Sequence, residues 1–134
     1  MQKKINITTL LEERQGFPWF GNDKCRVRGS FFDSRGNCYS GKAMSDYFGE
    51  VDTYEAFHEL VAGANGVFSV IRKMPGECWL ATDLVRSLPM FYCRVESGWV
   101  ISDRASVLQE YLGDVELRNE PVVRFRGRWA LLVG

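Results

Sequence analysis

Few residues in this chain of 134 can do chemistry. There are four thiols, Cys25, Cys38, Cys78 and Cys93, and a single histidine, His58. No two of the cysteines are spaced as CxxC, and one histidine does not complete a zinc ligand set, so a structural metal site is not expected. A thiol attacks as its thiolate and needs a neighbouring base or cation to become one near neutral pH. His58 lies beside the apolar stripe of a helix, and nothing in its spacing pairs it with a cysteine. Outside an oxidising compartment the thiols stay reduced, some of them serving as small core hydrophobes. The remaining candidates are charged. Arg26 and Arg28 alternate along one short segment and could together hold an anion, the ordinary alternative being a solvated strand face. Asp83 and Arg86 bracket a turn. Their simplest reading is a turn-locking ion pair, worth about 0.5–1 kcal/mol if exposed, with ligand binding as the second reading.

Charge and composition narrow the function classes. Lys plus Arg and Asp plus Glu both number 17, so the net charge is zero. No basic field marks a nucleic-acid partner, and no acidic tract marks a cation buffer. The longest apolar runs fall short of a membrane span. The start, Met1-Gln2-Lys3-Lys4-Ile5, lacks the apolar core and cleavage site of a signal peptide, so a cytoplasmic location is expected. Hydrophobic residues at 46% and aromatics at 13% predict a packed core, and the length predicts one domain over 1–134.

The elements that must position these residues are legible in part. Val67 to Ile71 is apolar and β-branched, as a buried strand should be. Pro75-Gly76 is a turn signal, and Cys78 to Ala81 supplies a partner strand. Met90 to Val95 and Trp99 to Ser102 follow, separated by a hairpin-length gap containing Gly98. Three consecutive antiparallel connections predict a four-strand meander with the charged turn Asp83 to Pro89 at its centre.

Upstream, residues 1–24 are a poorly defined lead-in. Within it Thr8 to Arg14 reads as a short helix, and Gly16 to Phe20 as an aromatic loop or edge segment covering a core edge. Cys25 to Phe32 alternates as a half-buried strand, and the turn Asp33 to Asn37 leads to a short strand at Cys38-Tyr39. Ser40 caps a helix with Met44, Tyr47 and Phe48 on one stripe, ended by Gly49. Asp52 and Glu55 fit a capping box for a second helix burying Tyr54, Phe57, Leu60 and Val61. Ser102 or Asp103 caps a third, with Ala105, Leu108, Tyr111 and Leu112 on one side. Beyond Val115 there is no firm pattern until an apolar stretch interrupted by Arg124, Arg126 and Arg128, read as a strand. The fold class is α+β: antiparallel sheet with flanking helices.

Three stretches of residues 60–112 carry a likeness. Asn65-Gly66-Val67-Phe68-Ser69-Val70-Ile71, then Ala81 through Asp83, Arg86 and Pro89 to Tyr92, then Val100-Ile101-Ser102-Asp103 through Leu108, resemble the glutaminase domain of asparagine synthetase-like proteins. That family reads "NGxFA", then "ARDxxGxxPLYY", then "FASExKAL", in this order and with these gaps. The resemblance implies an N-terminal-nucleophile hydrolase fold, two antiparallel sheets sandwiched between helical layers, here in shortened form. Its chemistry starts at an N-terminal cysteine whose own α-amino group, with a pKa of about 7.7–8, acts as the base. The thiolate releases ammonia from glutamine for a second, ATP-using domain.

Against that pattern, Gln2 stands where the nucleophile belongs. The family's arginine-bearing loop, its "NGEIYN" strand and its "GSD" loop are absent, and residues 25–62 are too short for its full N-terminal portion. The Ser-Gly-Gly-x-Asp-Ser loop that holds pyrophosphate in the synthetase half is absent as well. The resemblance therefore implies a degenerate, catalytically silent glutaminase-like domain with a structural or regulatory role. ATP and magnesium would belong to a synthetase-type partner domain, in cis or in trans, and not to this chain. Residues 115–134 fall where the family passes into that domain. Two alternatives stay open: an active amidohydrolase in which cleavage after Lys24 exposes Cys25, and a stand-alone protein- or small-molecule-binding domain using Phe17 to Phe20 with Arg26 and Arg28. An open edge on a half-sized sandwich gives a route to self-association.

Overall fold

Ten residues from Asn65 to Met74 form the longest strand in the protein, and the apolar run that predicts it sits at its middle. The structure is a computed structural model that describes residues 6–12, 17–96, 98–113, 123–124 and 128–133. In chain order the elements are β1 (Ile7–Leu10), β2 (Phe20–Gly21), β3 (Cys25–Phe32), β4 (Cys38–Ser40), α1 (Gly41–Gly49), α2 (Tyr54–Ala62), β5 (Asn65–Met74), β6 (Glu77–Thr82), β7 (Phe91–Val95), β8 (Gly98–Ser102), α3 (Ala105–Gly113), β9 (Val123–Arg124) and β10 (Trp129–Val133). The class is α+β. Expectations for residues 1–5, 13–16 and 114–122 and for Arg126, including the Gln2 position, the end of the Thr8–Arg14 segment and most of the junction at 115–134, lie outside the described residues.

Two sheets are built. Six strands make the first, in the order β10-β6-β5-β3-β2 with β4 also on β3; four make the second, in the order β1-β8-β7-β9. The first is antiparallel throughout. The second is antiparallel except where β1 runs parallel to β8.

The predicted meander is therefore corrected. Hairpin β5–β6 lies in one sheet and hairpin β7–β8 in the other, so the middle connection, residues 83–90, is a crossover between sheets. It cannot be a hairpin because the edge of β6 away from β5 is taken by β10. At its start Asp83 N–H makes a last ladder bond to the Phe68 carbonyl, and Phe68 N–H donates to the Asp83 carboxylate. The carboxylate takes the ladder place of the Asp83 carbonyl, which accepts Arg86 N–H instead, so pairing with β5 ends here.

The alternation of each strand sorts its side chains into three cores. On the outer face of the six-stranded sheet, Val27, Phe31, Phe68, Val70 and Trp79 pack under Met44 and Phe48 of α1 and Phe57 and Val61 of α2. Between the sheets lie Ile71, Leu80, Met90, Ile101 and Leu132. On the far face of the four-stranded sheet, Cys93, Val95 and Val100 meet Leu108 and Leu112 of α3. The layers thus run helix, sheet, sheet, helix. Gly29 is required at the centre of β3. Its φ is +89°, and a Cβ there would overlap the Val67 carbonyl of β5.

Two further expectations change. The segment from Thr8 is not a helix: Ile7–Leu10 is β1, and the Ser102 hydroxyl donates to the Leu10 carbonyl to hold it on β8. Pairing with a strand distant in sequence overrides its local helix formers. The second helix is capped by Thr53, whose hydroxyl accepts from Ala56 N–H, and not by Asp52. One residue later in the cap puts Glu55 in the first turn but breaks the capping-box spacing.

Candidate functional site

β3 pairs Arg26 with Ile71 and Arg28 with Ser69, so both arginines lie on the face turned toward the second sheet. This is not a solvated face. Arg28 is 7% exposed. One of its nitrogens, Nη2, donates to the Pro89 carbonyl at 2.6 Å, which ties β3 to the end of the crossover. The other, Nη1, is 3.7 Å from the Asp103 carboxylate. The guanidinium sits 4.7 Å from the ring centre of Trp19. Burial pulls the pKa of Arg28 down from its ordinary value, and Asp103 pushes it back up.

Asp103 is the hub of this arrangement. Its two oxygens accept the Glu12 N–H at 3.1 and 3.0 Å, and Oδ2 also accepts the Trp19 indole N–H at 2.9 Å. One carboxylate thus fastens the segment after β1, the aromatic segment before β2, and Arg28 of the other sheet. Asp103 is spent on these contacts and does not cap α3; the nearby Ser102 hydroxyl accepts from Arg104 N–H instead. The reading of Phe17 to Phe20 as cover for a core edge holds for Trp19, which packs against the core between the sheets.

Arg26 lies further toward solvent. Its Nη2 contacts Asp23 at 3.0 Å, across a pair whose carboxylate side chain is 88% exposed. Beside it, between the sheets, is a cavity of about 260 Å³ lined by Thr9, Leu11, Trp19 and Arg26. Neither Arg26 Nε nor Arg28 Nε has a partner, although both are buried. An unmade bond of this kind costs about 1–3 kcal/mol. The sequence identified both arginines but missed Trp19 and Asp103 as their partners. Asp103 looked like a helix cap, and no spacing links residues 84 positions apart.

Asp83 is buried, at 1% exposure, and locks its turn differently from the expected ion pair. Its Oδ2 accepts Phe68 N–H at 3.0 Å, while Oδ1 accepts Val85 N–H at 3.1 Å and Ser87 N–H at 3.0 Å. The lock runs through backbone amides, which a carboxylate satisfies more strongly than a neutral acceptor does. Arg86 adopts φ +54°, uncommon outside glycine, and its N–H donates to the Asp83 carbonyl. Leu84 and Val85 project outward from the turn.

Cys25 opens β3 with its side chain on the helix side, away from the cavity between the sheets. It is 2% exposed, and burial pushes its pKa from 9.0 up to about 11. Its carbonyl accepts the Ser45 hydroxyl at 2.9 Å and Asn22 N–H at 3.2 Å. Cys25 also lines a hollow of about 250 Å³, with Asn22, Lys24, Ser45, Asp46, Gly49 and Glu50 and no histidine among the described lining residues. Cys78 is pushed up further, to about 12. A disulfide reagent at neutral pH is therefore expected to titrate one thiol quickly, Cys38, which alone of the four is exposed. The other three should react only on unfolding; two or more fast thiols in the native protein would contradict the packing.

His58 stacks on Trp129 of β10, centroids 3.7 Å apart, and reaches none of the arginines or cysteines above through any described contact. A buried arginine that the sequence reading passed over, Arg72, donates to the Lys73 and Val51 carbonyls and acts as a structural tie. Among the described residues no group of three or more His, Cys, Asp or Glu could hold a metal ion, and no helix is long and apolar enough to cross a membrane. No family model, curated protein or solved structure matches the chain.

Proposed function

We propose that this chain is a shortened, catalytically silent glutaminase-like domain of the asparagine synthetase-related type, serving a structural or regulatory role beside an ATP-binding synthetase domain in the same chain or another. ATP and magnesium chemistry would belong to that partner. The observation that carries the reading is the placement of Cys25. The thiol that cleavage after Lys24 would expose faces the helix-side core and is held protonated by burial, with no histidine among the described residues of the hollow it borders. The cavity between the sheets, meanwhile, has no thiol among its described lining residues. The helix, sheet, sheet, helix layering is the support from the fold, since the three matched segments occupy β5, the crossover with β7, and β8 with α3.

The test has two arms. The purified chain, incubated with glutamine, is expected to release no ammonia above a no-protein control, and an electrophilic diazo-ketone analogue of glutamine should leave its intact mass unchanged. Turnover accompanied by an adduct on Cys25 would establish the amidohydrolase alternative instead. Co-purification with a synthetase-type ATP-binding domain is the expected positive result; a chain that binds no such domain would be a stand-alone binding module.

A further inference from the structure

The mouth between the sheets holds two guanidinium groups, and Asp103, the buried carboxylate near them among the described residues, is already committed. Asp103 spends its oxygens on Glu12 N–H and the Trp19 indole N–H, and it stands 3.7 Å from Arg28. Arg28 is fixed by Pro89 and by the face of Trp19. Arg26 is different. Its described acidic neighbour is Asp23, which stands in solvent and is easily displaced, and its buried Nε has no partner. The cavity it borders offers an indole, a leucine and a hydroxyl as its other described walls. A guanidinium fork matches a carboxylate in two parallel bonds, and in this mostly polar hollow the indole and the leucine are the surfaces against which the body of a ligand can lie.

We propose that this cavity binds a small organic molecule bearing a carboxylate, with the carboxylate on Arg26, in exchange for Asp23, and the apolar body against Trp19 and Leu11. Thr9 supplies a hydroxyl for a second polar group. Arg28 and Asp103 are positioning residues: one stacks on the Trp19 ring and the other holds its N–H, so the wall of the site is rigid before a ligand arrives. The site needs neither hydrolysis nor a synthetase partner, and so stands apart from the family reading.

The probe is phenylacetate, followed through the Trp19 indole N–H resonance, with phenylacetamide as the uncharged match and inorganic phosphate as the bare anion. Phenylacetate is expected to shift the resonance saturably. Arg26→Gln should weaken binding about tenfold, the usual scale for loss of a charge-assisted bond. Asp23→Asn should tighten it several-fold by releasing Arg26. Both side chains reach solvent, so neither change threatens the fold. Equal binding of phenylacetamide, indifference to Arg26→Gln, or no saturable response to phenylacetate would overturn the proposal. So would phosphate binding as tightly as phenylacetate, which would mark an anion site without an organic specificity.

Discussion

Replacing Asp83 with alanine is expected to destabilise the protein by about 2–4 kcal/mol, a large part of the 5–15 kcal/mol that holds a domain folded. The carboxylate accepts three backbone N–H groups, and the three do not count equally. Val85 and Ser87 sit in an exposed turn, where water can replace the lost acceptor. Phe68 N–H lies under the crossover, inside the six-stranded sheet, and has no such replacement, so its desolvation is felt in full. Asp83→Asn keeps one acceptor but turns its NH2 toward the N–H groups on the other side, so it should recover only the smaller part of that loss if its oxygen stays on Phe68 N–H. Ser87→Ala removes only the 3.3 Å hydroxyl contact and should shift the unfolding midpoint little. The check is urea denaturation of the three variants, read as a fall in midpoint at unchanged slope. If Asp83→Ala and Ser87→Ala proved equally mild, the carboxylate would not be what ends pairing with β5 at the crossover turn.

That turn also marks where the sequence stops being legible. Strands β3, β5, β6, β7 and β8 and the three helices among the described residues follow from local periodicity, because each buries a face whose spacing is fixed by the element itself. Whether two successive strands pair is not a local property. Residues 83–90 look like any loop between antiparallel strands, and it is β10, arriving from far down the chain to fill the outer edge of β6, that leaves β7 no place in the first sheet. β1 fails for the same reason in reverse. The run from Thr8 to Glu12 contains helix formers, and the register pairs each β1 residue with one 92 positions later on β8. For the site, alternation correctly placed Arg26 and Arg28 on one face of β3. It assigned that face to solvent, as is usual for a lone sheet, whereas a second sheet covers it here. The Trp19 and Asp103 contacts could not be found without that second sheet, because they exist only across it.

The Arg28–Asp103–Trp19 cluster should show the opposite economy to Asp83: breaking it is expensive, yet replacing it is not. Asp103→Ala leaves Arg28 as a buried cation without its carboxylate and orphans the Glu12 and Trp19 N–H groups, and the expected loss is about 3–5 kcal/mol. Adding Arg28→Met to that variant removes the stranded charge while keeping an unbranched apolar stem against Trp19. The double variant should therefore be more stable than Asp103→Ala alone, by about 1–3 kcal/mol, and its loss should fall well short of the sum of the two single losses. What the double variant cannot restore is the acceptor for the Trp19 indole N–H, so near-ultraviolet circular dichroism should report a loosened Trp19 even where stability has recovered. Independent, additive losses would mean that Arg28 and Asp103 act on separate parts of the fold. Coupled losses together with a loosened indole would show one carboxylate holding the aromatic segment, β1 and the arginine face in register, which is what a preformed wall between the two sheets requires.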